Sequence, residues 1–130
     1  MRGSCLCGAV AFRTDATPRA VTACHCGQCR KQSGHYWTAA RVPVAGLAIE
    51  GEVRWFQASP AARRGFCPVC GSFLFWQPLE DGRPADSLSF AMGAVDGPTG
   101  LATERHIYVD EKGDYYAIAD GLPQDEGWQS

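Results

Sequence analysis

Cys67-Pro68-Val69-Cys70-Gly71 is a metal-knuckle pattern: its two-residue spacer wraps the backbone so that both sulfurs face one ion, and Gly71 relieves the tight turn that follows. One such pair supplies two ligands, whereas a structural zinc site takes four. The missing pair must come from the rest of the chain, whose seven cysteines fall into the groups Cys5/Cys7, Cys24/Cys26/Cys29 and Cys67/Cys70. In an extended segment, residues i and i+2 project from the same face, so Cys5-Leu6-Cys7 and Cys24-His25-Cys26 can each present two sulfurs to one ion.

Two partitions are open. If Cys5 and Cys7 complete the site of Cys67 and Cys70, then Cys24, Cys26 and Cys29 remain, and three ligands with an open fourth position are the arrangement of a catalytic zinc. If two of those three complete it instead, the chain holds one zinc and leaves three thiols free, an oxidation liability in the absence of a redox task. The four-plus-three division is the favoured one. An odd cysteine count does not suit a closed disulfide framework. Soft sulfur ligands suit zinc rather than calcium or magnesium, and the spacings do not match those of ferredoxins.

Around these groups the chain is mildly acidic, with a net charge of −2 and a pI near 5.9. Its longest basic runs are the pairs Arg30-Lys31 and Arg63-Arg64, which argues against nucleic acid as a partner. The longest uncharged apolar stretch, 42–49, is broken by Pro43 and Gly46 and falls far short of the ~20 residues that cross a bilayer. Met1-Arg2-Gly3-Ser4 runs into the first cysteine pair without an apolar segment, so a cytoplasmic protein with reduced thiols is expected. With 130 residues, residues 1–130 are expected to form one domain. Gly 15 and Pro 8 make it turn-rich, and metal cross-links would supplement a modest core.

Short alternating, β-branched and aromatic runs predict strands over 9–14, 20–23, 36–42, 47–50, 53–57, 72–77, 87–92, 106–109 and 115–119. One short helix is predicted over Gly27–Ser33, stopped by Gly34. Residues 111–114 predict a hairpin turn with Gly113 in a left-handed conformation, and 82–86 a surface loop. The fold class is mainly β, with small twisted sheets and little helix.

Three segments together are similar to the signatures of one family. They are Gly3-Ser4-Cys5-Leu6-Cys7-Gly8-Ala9-Val10, Cys24-His25-Cys26-Gly27-Gln28-Cys29-Arg30-Lys31 and Arg64-Gly65-Phe66-Cys67-Pro68-Val69-Cys70-Gly71-Ser72. The family is that of glutathione-dependent formaldehyde-activating enzymes, which also includes centromere protein V. Gly93-Ala94-Val95-Asp96, Arg105-His106-Ile107-Tyr108 and Asp120-Gly121-Leu122-Pro123 resemble its carboxyl-terminal half. The resemblance implies a β-tent fold, a structural zinc on Cys5, Cys7, Cys67 and Cys70, and a second, catalytic zinc on Cys24, Cys26 and Cys29. It also implies the joining of glutathione and formaldehyde to S-hydroxymethylglutathione, a carbon–sulfur lyase reaction read in reverse.

Arg30 and Lys31 follow Cys29 and are candidates to meet substrate carboxylates, against the plainer reading of a solvated helix face. His25 should point away from the ion that its neighbours hold, as a structural residue or a proton carrier. His35 has no motif support, and His106 reads as a hydrogen-bonded core residue. Tyr36, Trp37, Phe73, Phe75 and Trp76 read as core or pocket wall. The competing functions are a zinc-stabilised binding module and a thiol-based redox protein. Three ligands rather than four disfavour the first, and the lack of a cysteine away from the clusters disfavours the second.

Overall fold

The computed structural model describes residues 1–128 and is mainly β. The strands are β1 (Arg2–Ser4), β2 (Ala11–Thr14), β3 (Arg19–Cys24), β4 (Trp37–Pro43), β5 (Leu47–Glu50), β6 (Arg54–Ser59), β7 (Ala62–Phe66), β8 (Phe73–Glu80), β9 (Arg83–Pro84), β10 (Ser87–Ala91) and β11 (Arg105–Ile107). A small antiparallel sheet has the order β1-β2-β5, and a large one the order β11-β3-β4-β10-β8-β7-β6, with β9 added on β8. Among the named strands of the described residues, only β11 runs parallel to its neighbour, β3.

The two sheets meet through alternate residues. On β4, Ala40 and Val42 are buried in the main core, while Trp37, Ala39 and Arg41 face the other way. Leu88 and Phe90 of β10 join that core, and Phe12 of β2 packs edge-on to Phe75 at 5.6 Å between ring centres. A bulge breaks the alternation on β8. Gly65 pairs with Phe75 and the next residue, Phe66, with Phe73, so Phe73 and Phe75 fall on opposite faces of the sheet. Phe73 thereby leaves the main core and stacks on Trp37 at 4.1 Å.

The predicted helix is present as α1 (Gly27–Ser33), capped by Gly34 at φ 92°. Three expectations differ. Residues 82–86 are not a plain loop: Asp81 and Gly82 take positive φ and close a tight β8–β9 hairpin, the turn that an Asp-Gly pair favours. Residues 111–114 do not form a hairpin, and Gly113 is not left-handed. That conformation belongs to Tyr108, at φ 55° and ψ 40°, and a 3-10 turn over Val109–Glu111 follows it. Residues 115–119 are not a strand, because their aromatic side chains are engaged elsewhere: the Tyr115 hydroxyl lies 2.8 Å from Nδ1 of His35, and Tyr116 meets His25. No helix among the described residues is long and apolar enough to cross a membrane.

Candidate metal centres and the cleft beside them

Cys5 and Cys7 sit in the turn after β1, and Cys67 and Cys70 in the turn between β7 and β8. Their four sulfurs lie within 4.8 Å of one another, with Cys5 Sγ 3.6 Å from Cys7 Sγ and Cys7 Sγ 3.7 Å from Cys67 Sγ. The edge of a tetrahedron with zinc–sulfur bonds of ~2.3 Å is about 3.8 Å, so the donor set fits that ion. The backbone N–H groups of Val10, Val69 and Cys70 donate to these sulfurs at 3.3 to 3.4 Å. Such donors favour thiolate over thiol. The Ser72 hydroxyl, 3.2 Å from Cys70 Sγ, is the main cause that pulls the Cys70 thiol down to about 5.

The second group is built at a strand-to-helix junction. Cys24 ends β3, Cys26 caps α1, and Cys29 lies in the helix's first turn, again with sulfurs within 4.8 Å. Cys26 Sγ accepts the Cys29 N–H at 3.3 Å. Hydrogen bonds from Cys24 and Cys29 pull the Cys26 thiol down to about 2, and the same contact with Cys26 pushes Cys24 up. Of the three thiols, Cys26 is the one its neighbours favour as thiolate. Arg64 Nη1, 3.6 Å from Cys29 Sγ, adds a positive charge beside them. Among the described residues, no His, Asp or Glu completes this group to four. Soft sulfurs at these separations fit zinc here as well.

The three sulfurs open onto a cleft of about 300 Å³ over the sheet face opposite the main core. Its floor follows from the β alternation. Thr22 and Cys24, Trp37, Ala39 and Arg41, Ser89, Trp76, and Arg64 are alternate residues of successive strands. Tyr108 closes the end beside the sulfurs, where its left-handed backbone turns the chain out of β11. Trp128 lies under Arg41, whose guanidinium sits 4.9 Å from the ring centre.

The other residues singled out in the sequence are placed as follows. Arg30 donates through Nε to the Glu111 carbonyl at 3.1 Å, and Lys31 is exposed on the helix. Neither lines the cleft, whose cations are Arg41 and Arg64. The signal for Arg41 and Arg64 is the period-2 pattern of their strands, which sets them on the faces of Trp37 and Ala62. His25 is fully buried and points away from the cysteine sulfurs. Its Nδ1 meets the Tyr116 hydroxyl, and its Nε2 lies 2.8 Å from Nδ1 of His106. His106 is buried and hydrogen-bonded, as its strand position suggests, and its Nε2 lies 2.7 Å from Asp120 Oδ2. Burial first, and then the neighbouring His106, hold the His25 imidazole down at about 4.

The profile of the glutathione-dependent formaldehyde-activating enzymes matches residues 1–111. No curated protein matches the chain. The chain is similar in fold to a Rhodobacter sphaeroides protein solved by crystallography as a structural genomics target. The TM-score is 0.61 and the identity 24%, with 77% of this chain and 92% of that one covered. A sequence match that spans every cysteine, on a fold that gathers those cysteines into two ion-sized groups, places the chain in the glutathione-dependent formaldehyde-activating enzyme family.

Proposed function

We propose that this protein is a zinc-dependent carbon–sulfur lyase of one domain, joining glutathione or a similar thiol to formaldehyde or a similar aldehyde. Cys5, Cys7, Cys67 and Cys70 would hold a structural zinc, and Cys24, Cys26 and Cys29 a second one. A zinc ion at the second group would supply a position at which a thiol gives up its proton near neutral pH. The observation that carries this reading is the contrast between the groups. One is closed by four sulfurs at the edge of the core, and the other stops at three beside an open cleft.

The chain's own residues define the remaining tasks. Trp37 and Trp76 give the cleft apolar walls against which the apolar part of a substrate can pack. Arg64 holds positive charge where a thiolate would accumulate. In the reaction, a sulfur–carbon bond forms as the carbonyl π bond opens, and the proton lost by the thiol ends on the new hydroxyl. No oxidant or reductant is consumed. The uncatalysed addition is easy, so proximity and thiol activation are the enzyme's contribution.

Exchange NMR with ¹³C-formaldehyde and glutathione tests the reading. Catalytic amounts of zinc-replete protein should raise the exchange rate between free aldehyde and S-hydroxymethyl adduct, and Cys26→Ser should remove the effect. An exchange rate unchanged by the zinc-replete protein would leave the zinc-stabilised binding module as the correct reading.

A further inference from the structure

Residues 123–127 run along the outer edge of β11 and are tied to it by backbone. His106 N–H donates to the Pro123 carbonyl at 2.9 Å, and Asp125 N–H donates to the His106 carbonyl at 2.9 Å. Arg105 pairs with Asp125 at 3.0 Å, and Tyr108 N–H donates to the Gly127 carbonyl at 3.3 Å. The chain is thus fixed as far as Gly127, beside the Tyr108 that closes the sulfur end of the cleft, and Trp128 follows directly.

The Trp128 side chain turns in over the cleft. It lines the cavity together with Thr22 and Cys24 of β3, and its ring centre lies 4.9 Å from the Arg41 guanidinium. Arg41 enters from β4, and the sheet order β11-β3-β4 puts β3 between the two. Two strand spacings, about 10 Å, separate β11 from β4, a gap that an arginine and a tryptophan close together but neither closes alone. The pair therefore forms a bridge above Thr22 and Cys24. The indole is 40% exposed, so part of it covers the cleft while the rest meets solvent. Among the described residues, Arg41 has no carboxylate within ion-pair distance, and the indole is what its guanidinium rests on.

We propose that Trp128, clasped by Arg41, is a specificity-determining residue of the cleft: it roofs the approach to Cys24 and Cys26, passing slender thiols and aldehydes and holding back bulky ones. A cation–π contact at an exposed site favours the closed arrangement over the open one by a factor of about five at most. The roof is thus a filter and not a seal, and a large ligand enters only in the open fraction. Trp128 lies outside residues 1–111, the stretch that carries the family match. The inference goes beyond the lyase reading and does not depend on it, because the bridge screens any reagent directed at these sulfurs.

The test compares iodoacetamide with N-(1-pyrenyl)iodoacetamide, which share a reactive group and differ in bulk. Both are applied to the zinc-replete protein, and alkylation of Cys24 and Cys26 is followed by tandem mass spectrometry. The exposed Cys7, outside the cleft, is the internal reference. Relative to Cys7, the bulky reagent should be disfavoured at Cys24 and Cys26 by about fivefold in the natural protein. Trp128→Ala should abolish that discrimination by speeding the bulky reagent alone, and Arg41→Gln, which removes the clasp, should do the same. The same discrimination in all three proteins would overturn the roof. So would equal acceleration of both reagents in Trp128→Ala, since that reports a loosened fold. The labelling needs no turnover, so failure of the formaldehyde exchange test would leave this result standing.

Discussion

His25 Nε2 lies 2.8 Å from His106 Nδ1, so one of these two nitrogens donates to the other and the two buried rings are linked. Because His106 Nε2 lies 2.7 Å from the Asp120 carboxylate, it carries a proton and donates it there. With a single proton on each ring, His106 Nδ1 accepts from His25 Nε2–H, and His25 Nδ1 accepts from the Tyr116 hydroxyl. The chain runs from Tyr116 to Asp120 and uses every polar atom of a fully buried imidazole lodged between two cysteines.

His25 should therefore remain neutral far below the usual imidazole range. Its folded value of about 4 lies below its ordinary 6.5, so the unfolded chain takes up the proton first on acidification. The stabilising contribution is complete above pH 6.5 and declines as pH falls towards 4, by up to about 3 kcal/mol. Histidine ring resonances followed by NMR between pH 7.5 and 4.5 check this directly. A His25 signal that titrates near 6.5 in the folded protein would rule the arrangement out.

Cys67→Ser and Cys26→Ser should behave differently. Cys67 is fully buried in the main core and joins chain segments that are 60 residues apart. Serine there opens the four-sulfur site, and the protein should fail to fold stably. Cys26 is half-buried at a helix N-cap, where serine is itself a favoured residue. That variant should keep its circular dichroism and its melting transition within a few degrees, and carry one zinc fewer. Equal loss of structure in both would undo the division into structural and functional sites.

The cysteine groups were legible in sequence because metal ligation is local in spacing: CxC and CxxC turn their sulfurs to one side wherever they fold. The helix over Gly27–Ser33 was legible for a similar reason, its stop being written in Gly34. The cleft was not. Arg41 and Arg64 are 23 positions apart in the chain, and only the pairing of β4, β10, β8 and β7 sets them in one row. Strict alternation would also have put Phe73 and Phe75 on one face, and only the bulge against Gly65 and Phe66 separates them. The run 115–119 has strand composition but spends its tyrosines on His35 and His25, a choice that local propensity does not contain.

Gly51→Ala should cost much more than Gly34→Ala, although both glycines take positive φ, 95° and 92°. An added Cβ at Gly34 meets open space, so only the backbone strain of about 1 kcal/mol remains. At Gly51 the same atom would overlap the carbonyl oxygen of Ala9, which belongs to backbone and cannot swing aside. Equilibrium urea unfolding should give a loss of at least about 3 kcal/mol there, in the range reserved for strain combined with overpacking. Similar midpoints for the two variants would count against the close approach of the β5 turn to residue 9.

Chelation should remove the two metals in separate phases. Cys7 and Cys70 face outward, but Cys5 and Cys67 are 4% and 0% exposed, packed among Val10, Phe12 and Leu74, so complete release of an ion requires that part of the core to open. Cys24 and Cys26 are half-buried on the cleft wall, where a chelator reaches the ion without disturbing either sheet. With excess chelator and a colorimetric zinc indicator, one equivalent should be released while the melting transition is nearly unchanged. The second should follow the rate of unfolding. Thiol labelling after the first phase should modify the half-buried Cys24 and Cys26 and spare the buried Cys5 and Cys67. Glutathione should slow the first phase in proportion to its occupancy of the cleft, because a ligand seated on Trp76 covers the path to those sulfurs. Release of both equivalents in one phase, together with unfolding, would mean that the three-cysteine site is as structural as the four-cysteine one.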